Sequence, residues 1–212
     1  IYNIDSIEEI SEMSFSCPNC VLLMKAPNST QQRPTLGIPD TKFVLLNDRA
    51  KMITKAPIRV IDLSLLELHN SRTFWDIGAC TGSVSIEARR QYPHLNIQAF
   101  EVREECKDII RANARLHSAP GIDLHIGNFL NLPIAEDAIV DAVFIGGHGG
   151  KLKEIICKVA SHLDKLKGKI VFNSVSEESN KLFREAVEEN DLKLHSEMNI
   201  TVDSNNPITI LC

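Results

Sequence analysis

The stretch Thr73-Phe74-Trp75-Asp76-Ile77-Gly78-Ala79-Cys80-Thr81-Gly82 contains an apolar strand-like run, a turn with two glycines and the start of a helical segment. The same alternation of strand and helix continues downstream. Further strands are predicted over residues 96–102, 122–126, 139–145 and 169–173, with helical segments between them. Because the strands are apolar on both faces, the alternation predicts an α/β fold with a doubly wound, parallel sheet.

Two more strands are predicted after the last helical segment. Residues 193–202 and 207–211 have strand-like composition, and the polar residues 203–206 separate them. Two strands joined by a short turn form an antiparallel hairpin. The complete prediction is a mostly parallel, seven-stranded sheet with this hairpin at one edge.

The N-terminal segment differs from the rest of the chain. Residues 1–26 hold a short helix-like piece and an apolar strand-like run, and residues 26–40 contain three of the nine prolines. Cys17 and Cys20 have C-x-x-C spacing, but no second pair follows, so no metal site is predicted there. We interpret residues 1–35 as the tail of a preceding domain plus a linker, and residues 36–212 as the main domain.

Composition limits the possible functions. A chain of 212 residues with 43% hydrophobic residues can bury one good core, and its net charge of -5 argues against a surface that binds nucleic acid. No apolar run approaches the roughly 20 residues that cross a bilayer, so no membrane partner is expected. The six cysteines lack the regular spacing of a disulfide framework, which favours the reducing cytoplasm, and the seven histidines lack metal-ligand spacing.

Candidate binding residues follow the predicted strands. Ligands of doubly wound sheets bind beyond the carboxyl ends of the strands, where Asp76 and the Gly78–Gly82 turn are expected. Glu101 ends the second strand, and its carboxylate can accept hydrogen bonds from two ribose hydroxyls. Asn128 could contact an adenine edge and Phe129 could lie against the base. The alternatives are a plain tight turn, a surface glutamate and a core aromatic residue.

These residues predict a nucleoside pocket of a particular kind. The turn does not complete the G-x-G-x-x-G spacing of dinucleotide-binding proteins, and the chain has no G-K-[ST] loop for a triphosphate. Both observations favour S-adenosylmethionine as the cofactor. A helix is also predicted to begin at Thr54, whose hydroxyl can cap it, with Pro57 in the first turn.

Six motifs resemble the decarboxylating precorrin C15-methyltransferase family, whose members are class I S-adenosylmethionine-dependent methyltransferases. They are Gly37-Ile38-Pro39-Asp40, Ile53-Thr54-Lys55 with Arg59, Asp76 to Val84, Phe144-Ile145-Gly146-Gly147-His148-Gly149-Gly150, Asn173-Ser174-Val175 and Asn206-Pro207. The resemblance covers roughly residues 36–212. It also suggests a preceding domain, since in many bacteria this domain is fused behind a C5-methyltransferase domain.

The resemblance implies roles for individual residues. The cofactor pocket would contain Thr54, Gly78, Ala79, Cys80, Thr81, Gly82, Glu101 and Phe129, together with the Asp76 and Asn128 considered above. The loop of Gly146, Gly147, His148 and Gly149 would face the substrate, and no catalytic acid or base is assigned within it. The chain departs from the family at Cys80, where glycine is usual, and at Asn128, where aspartate is common.

The implied reaction is methylation of a precorrin macrocycle at C15 with decarboxylation of its C12 acetate, in cobalamin biosynthesis. The expected partners are a precorrin or cobalt-precorrin, the preceding C5-methyltransferase domain and further copies of the chain in a homo-oligomer. Residues 31–62 carry six basic against three acidic side chains, so this segment either borders the cleft for the carboxylate-rich substrate or is simply solvated. The rival functions are methylation of RNA or another small molecule, non-catalytic nucleoside binding and nicotinamide-dependent oxidoreduction.

Overall fold

The computed structural model describes residues 12–15, 35–49, 52–201 and 207–212. The chain divides into two compact units, Ile1–Arg33 and Pro34–Cys212. The apolar run and the C-x-x-C pair of the N-terminal segment, like most of its helix-like piece, lie outside the described residues. Within the described residues no helix is long and apolar enough to cross a membrane.

The second unit is built on the seven-stranded sheet that the sequence predicts. The strands are β1 (Thr73–Ile77), β2 (Asn96–Glu101), β3 (Ile122–Ile126), β4 (Ala142–Ile145), β5 (Lys169–Ser174), β6 (Glu197–Thr201) and β7 (Pro207–Leu211), in the order β3-β2-β1-β4-β5-β7-β6. Strands β1 to β5 are parallel, and β7 runs antiparallel to both β5 and β6. The doubly wound sheet with an edge hairpin is therefore confirmed.

In the described part of the chain, five α-helices cover the two faces of the sheet. They are α1 (Ala56–Leu65), α2 (Ser83–Gln91), α3 (Cys106–Leu116), α4 (Leu152–His162) and α5 (Glu177–Glu189), with short 3-10 turns at Asp40–Lys42, Leu46–Asp48 and Leu68–Asn70. Alternate residues of β1 point to opposite faces. Trp75 packs in one core cluster with residues of α4 and α5, and Phe74 packs in another with residues of α1 and α2.

Strand β4 is shorter than predicted, because its first predicted residues do not join the ladder. Ile139 is 62% exposed. The Asp141 carboxylate instead accepts hydrogen bonds from the backbone N–H groups of Arg72 (2.6 Å) and Thr73 (3.0 Å), just before and at the start of β1. Pairing with β1 begins one residue later, at Ala142.

The predicted cap of helix α1 is wrong. The helix begins at Ala56, its N-cap residue is Lys55, and that residue makes no side-chain capping hydrogen bond. The Ala56 N–H instead donates to Oδ1 of Asp40 at 3.0 Å. A carboxylate sixteen residues upstream therefore performs the role expected of the Thr54 hydroxyl.

A buried ion cluster holds the segment before α1 against the helices. Arg59 is fully buried and forms ion pairs with Asp40 (2.8 Å) and Glu87 (3.4 Å). It also donates hydrogen bonds to the carbonyls of Thr54 and Ile38. Glu87 in turn accepts from the Ile38 N–H at 3.0 Å. Arg59 is therefore an internal structural group and contributes no free charge to the basic segment.

We expect Arg59→Met to lower the free energy of unfolding by about 3–5 kcal/mol, because it leaves the buried Glu87 carboxylate without its cationic partner. Urea denaturation at neutral pH measures the change. Arg184→Met is the matched control, since it removes an exposed ion pair with Glu197. Equal effects of the two substitutions would contradict the assigned role of Arg59.

Candidate active site

Two cavities lie at the carboxyl ends of the parallel strands. The β1–β4 cavity, of about 400 Å³, is lined by Met52–Lys55, Asp76, Gly78–Thr81, Ser83, Val84, Arg103, Phe144, Gly146, Gly147, Asn173, Val175 and Ile208. The β2–β3 cavity, of about 320 Å³, is lined by Ile77, Gly78, Phe100–Arg103, Gly127–Phe129, Gly147–Gly149, Lys151 and Ile155. Both include Gly78, Arg103 and Gly147, so these three residues separate one cavity from the other.

The turn after β1 and the loop after β4 touch through their backbones. Gly78 has a φ of +80°, and a Cβ atom added there would lie 2.6 Å from the backbone nitrogen of Gly147. No side chain fits in that space. The predicted cofactor turn and the predicted substrate loop therefore form one continuous wall. One cavity lies on each side of this wall.

Cys80 occupies a left-handed conformation, with a φ of +50°. Glycine tolerates this region best, which agrees with the glycine that the resemblance predicts at this position. The Cys80 backbone N–H donates to Oε2 of Glu101 at 2.8 Å. Burial raises the pKa of the Cys80 thiol. The thiol is thus protonated at neutral pH, and Cys80 serves the site through its backbone.

Asp76 presents a buried acceptor to the β1–β4 cavity. Its Oδ2 atom accepts hydrogen bonds from the backbone N–H (3.1 Å) and the hydroxyl (2.5 Å) of Ser85 in α2. Its Oδ1 atom is buried and has no hydrogen-bond partner among the described residues. Burial raises the pKa of Asp76 to about 6. A cationic or N–H group of a ligand would satisfy the unpaired oxygen.

Glu101 stands at the end of β2, as the sequence predicts, but it is only 2% exposed. Its Oε1 accepts from the backbone N–H (3.0 Å) and Nε (2.8 Å) of Arg103, and its Oε2 accepts from Arg103 Nη2 at 3.0 Å. Burial opposes ionisation, but the hydrogen bonds from Arg103 and Cys80 outweigh it and hold the pKa of Glu101 below its ordinary value. The alternative interpretation of Glu101 as a surface glutamate is therefore wrong.

Arg103 is a site residue that the sequence reasoning missed. Its side chain is 30% exposed and lines both cavities. The spacing of Glu101 and Arg103 could have predicted their pairing, because residues two apart in an extended segment lie on the same side.

Asn128 and Phe129 lie next to the β2–β3 cavity in different environments. Asn128 is exposed, and its Oδ1 accepts from the Leu130 N–H at 3.1 Å. Phe129 is 5% exposed and makes edge-on ring contacts with Trp75 and Phe100, with ring-centroid distances of 6.0 Å and 5.0 Å. Phe129 is thus both a core aromatic residue and part of the cavity wall, while its contact with a base stays a prediction.

His148 is the titratable group of the loop after β4. Its Nδ1 accepts from the Gly150 N–H at 3.2 Å, so the ring proton belongs on Nε2, which lies 3.4 Å from the Ser179 hydroxyl. Burial lowers the pKa of His148. The imidazole is therefore neutral at physiological pH.

Buried Asp62 and half-buried Asn173 form a pair at the β1–β4 cavity that the sequence analysis also did not predict. Asn173, in β5, lines the cavity and donates through Nδ2 to Oδ2 of Asp62 at 2.8 Å. Asp62 is fully buried, and burial raises its pKa to about 8 against the lowering effects of Asn173 and Arg59. Asp62 is therefore mostly protonated at neutral pH.

Thr54 and Lys55 border the β1–β4 cavity just before α1. The Thr54 backbone carbonyl accepts from Arg59, and Lys55 lies 3.7 Å from the Asp40 carboxylate. Of the basic segment, Lys55 thus lines the cavity, while its contact with an anionic substrate stays a prediction. Lys51 lies outside the described residues.

We expect the wild-type free energy of unfolding to fall as the pH rises from about 4 to about 8, owing to Asp62. Between its ordinary pKa of 3.8 and the native value of about 8, the native protein holds a proton that the unfolded chain has released. Asp62→Asn should therefore gain stability over wild type as the pH rises. Thermal melts between pH 5 and 8 test this, with the exposed Asp108→Asn as control. Parallel wild-type and Asp62→Asn curves would rule it out.

Comparison with known proteins places the chain in a family. The model of the precorrin methyltransferase domain matches residues 46–209. The chain is 35% identical over 127 residues to the cobalt-precorrin-6B C(15)-methyltransferase (decarboxylating) of Salmonella typhimurium, which covers 60% of this chain and 64% of that protein. It is 32% identical over 126 residues to the decarboxylating precorrin-6Y C(5,15)-methyltransferase of Sinorhizobium sp, covering 58% of this chain and 29% of that protein.

A solved structure agrees with these relatives. The precorrin-6y C5,15-methyltransferase of Geobacter metallireducens GS-15 superimposes with a TM-score of 0.74 at 33% identity, covering 85% of this chain and 97% of that one. The match to the Salmonella protein nevertheless spans less than two thirds of its length. The chain belongs to the precorrin methyltransferase domain family and has the class I methyltransferase fold.

Proposed function

We propose that this chain is an S-adenosylmethionine-dependent methyltransferase that methylates a precorrin macrocycle at C15 and removes the carboxyl group of the C12 acetate, in cobalamin biosynthesis. The observation that carries the proposal is the pair of cavities on either side of the Gly78–Gly147 contact. Glu101 lines one cavity, and Asp76, whose buried Oδ1 atom is unpaired, lines the other. Family membership supports the substrate class.

The residues present fit the cofactor. In the β2–β3 cavity, Glu101 would receive the ribose hydroxyls, and residues 127–129 would border the adenine. In the β1–β4 cavity, the unpaired Oδ1 of Asp76 would accept from the ammonium group of the methionine part. Because Gly78 and Gly147 carry no side chains, the ligand can pass between the cavities close to the backbone. Thr54 and Cys80, which the sequence prediction also assigns to the cofactor, line the β1–β4 cavity.

When bound, S-adenosylmethionine supplies a methyl group on a positively charged sulfur, and the C–S electron pair stays on the sulfur when the methyl leaves. A macrocycle with enamine-like carbons is already nucleophilic. Loss of carbon dioxide from the acetate returns an electron pair to the ring and balances the positive charge of the added methyl. The protein must therefore mainly align the reacting carbon and exclude water. No protein nucleophile is needed, and neutral His148, which lines the β2–β3 cavity, is the candidate for moving a proton.

The proposal includes a partner domain. We infer that residues 1–35 are the tail of a preceding C5-methyltransferase domain plus a linker, and that residues 36–212 are the C15-methylating domain. The division between Arg33 and Pro34 supports this boundary. So does the Sinorhizobium relative, whose name includes both positions and of which the match covers only 29%. Assembly of several copies and a cytoplasmic location remain further parts of the proposal.

Incubation of the purified chain with cobalt-precorrin-6B and S-adenosylmethionine tests the reaction. Mass analysis of the product should show the gain of one methyl group and the loss of one carbon dioxide. Transfer to RNA or to another small molecule instead would support one rival function. Binding of NAD in preference to S-adenosylhomocysteine would support another, and cofactor binding without turnover would indicate a nucleoside-binding module.

We expect Glu101→Ala to weaken S-adenosylhomocysteine binding by about tens of fold or more, because each hydrogen bond to a charged group contributes about 1.5–3 kcal/mol. Glu101→Gln should have an intermediate effect, since it keeps one acceptor oxygen. Calorimetric titration measures the affinities of both variants.

Thermal melts without ligand must accompany these titrations. The alanine variant should also lose about 1–3 kcal/mol of stability, because the buried Cys80 N–H loses its acceptor. Wild-type affinity in a folded Glu101→Ala protein would refute the proposed ribose site.

A further inference from the structure

The Glu101 carboxylate is saturated with hydrogen bonds. Its two oxygens accept four, one from the Cys80 backbone N–H and three from Arg103. A carboxylate offers about four lone-pair sites. Ribose hydroxyls can therefore reach Glu101 only if one or more of these four donors leaves.

The donor free to leave is the Arg103 guanidinium. The backbone N–H groups of Cys80 and Arg103 are held by the turn after β1 and by the end of β2. The guanidinium, in contrast, is the end of a long side chain that is 30% exposed. Its other close neighbour is the flexible thioether of Met52, whose Sδ lies 3.8 Å from Nη1. The two bonds from Nε and Nη2 are thus the ones that a ribose would replace.

A displaced guanidinium would stand at the border of the β1–β4 cavity, which Arg103 already lines. Among the residues lining that cavity, Arg103 and Lys55 are the two cations and Asp76 is the one acid. Lys55 lies near Asp40, whereas Arg103 would have lost its carboxylate partner. A planar guanidinium pairs best with a carboxylate, through two parallel hydrogen bonds. The cavity therefore gains a carboxylate-binding group when the ribose site fills.

We propose that Arg103 is a specificity-determining residue that binds a carboxylate of the methyl acceptor after the cofactor ribose has replaced it on Glu101. This inference rests on the proposed function and adds an order of binding to it. The cofactor converts Arg103 from a partner of Glu101 into a receptor for the acceptor. Because coupling between two ligands is reciprocal, the acceptor must also tighten cofactor binding.

Titrations of the full chain test the coupling. Cobalt-precorrin-6B should bind wild type about tenfold or more tightly in the presence of saturating S-adenosylhomocysteine than in its absence. In Arg103→Ala the cofactor product should bind as in wild type or more tightly, since no guanidinium competes for Glu101. The acceptor should then bind the Arg103→Ala protein equally tightly with and without S-adenosylhomocysteine.

Steady-state kinetics give the second readout. Arg103→Ala should raise the KM for cobalt-precorrin-6B by about tenfold or more and leave kcat within a few fold. Arg103→Lys should recover part of the lost affinity, because it restores the charge without the planar fork. Lys107→Ala removes a nearby cation of α3 that pairs with Glu104 and should change neither quantity. Melts of each variant check that it is folded.

Three results would overturn the inference. The first is an Arg103→Ala protein that binds S-adenosylhomocysteine about tenfold more weakly with an unchanged acceptor KM, which would assign Arg103 to the cofactor alone. The second is unchanged coupling in that variant. The third is a wild-type chain that does not bind S-adenosylhomocysteine. This result would also refute the proposed function, whereas the first two would overturn only the role of Arg103.

Discussion

The close approach of Gly78 to Gly147 is the contact on which the site depends. Strand β1 lies between β2 and β4, and the chain's connections diverge from it to opposite sides of the sheet. This is the switch point of a doubly wound sheet, where the loops separate and leave a crevice. The two glycine backbones meet in this crevice and divide it, so that one cavity lies on each side of their contact. A side chain at Gly78 would push the two loops apart and disturb both cavities.

Charged groups near this wall fall into two classes. Arg59 with Glu87, and Glu101 with Arg103, are ion pairs in which at least one partner is buried, and their charges are compensated within the protein. Asp62 and Asp76 are buried without a direct cationic partner, and burial raises the pKa of each. The first class holds segments together. In the second class Asp76 lines the β1–β4 cavity and Asp62 contacts the cavity residue Asn173; groups with shifted pKa values often serve function at such sites.

Glu101 and Arg103 link these two roles. They form an ion pair that satisfies a buried carboxylate, and the same carboxylate is the partner that we propose for a ribose. A bound nucleoside must therefore exchange with the arginine, and the resulting change in charge is felt in the neighbouring cavity. In the proposed mechanism a single side chain thus joins cofactor binding to acceptor binding.

Much of the fold was predictable from the sequence, because strand, turn and helix patterns are local. Strand-like runs of five to seven residues located β1, β2, β3 and β5, and the position of Glu101 at a strand end followed from them. Local patterns could not predict the hydrogen bonds and ion pairs for which groups distant in the sequence compete. Asp40 replaced Thr54 as the cap of α1, Asp141 took the donors around the start of β1 and shortened β4, and Arg59 was withdrawn into an ion cluster. The sequence alone thus determined the order of elements and the residue types at the strand ends. Only the tertiary structure decided the burial of Glu101, its pairing with Arg103 and the Asp62–Asn173 contact, because burial and hydrogen-bond partners depend on which segments pack together.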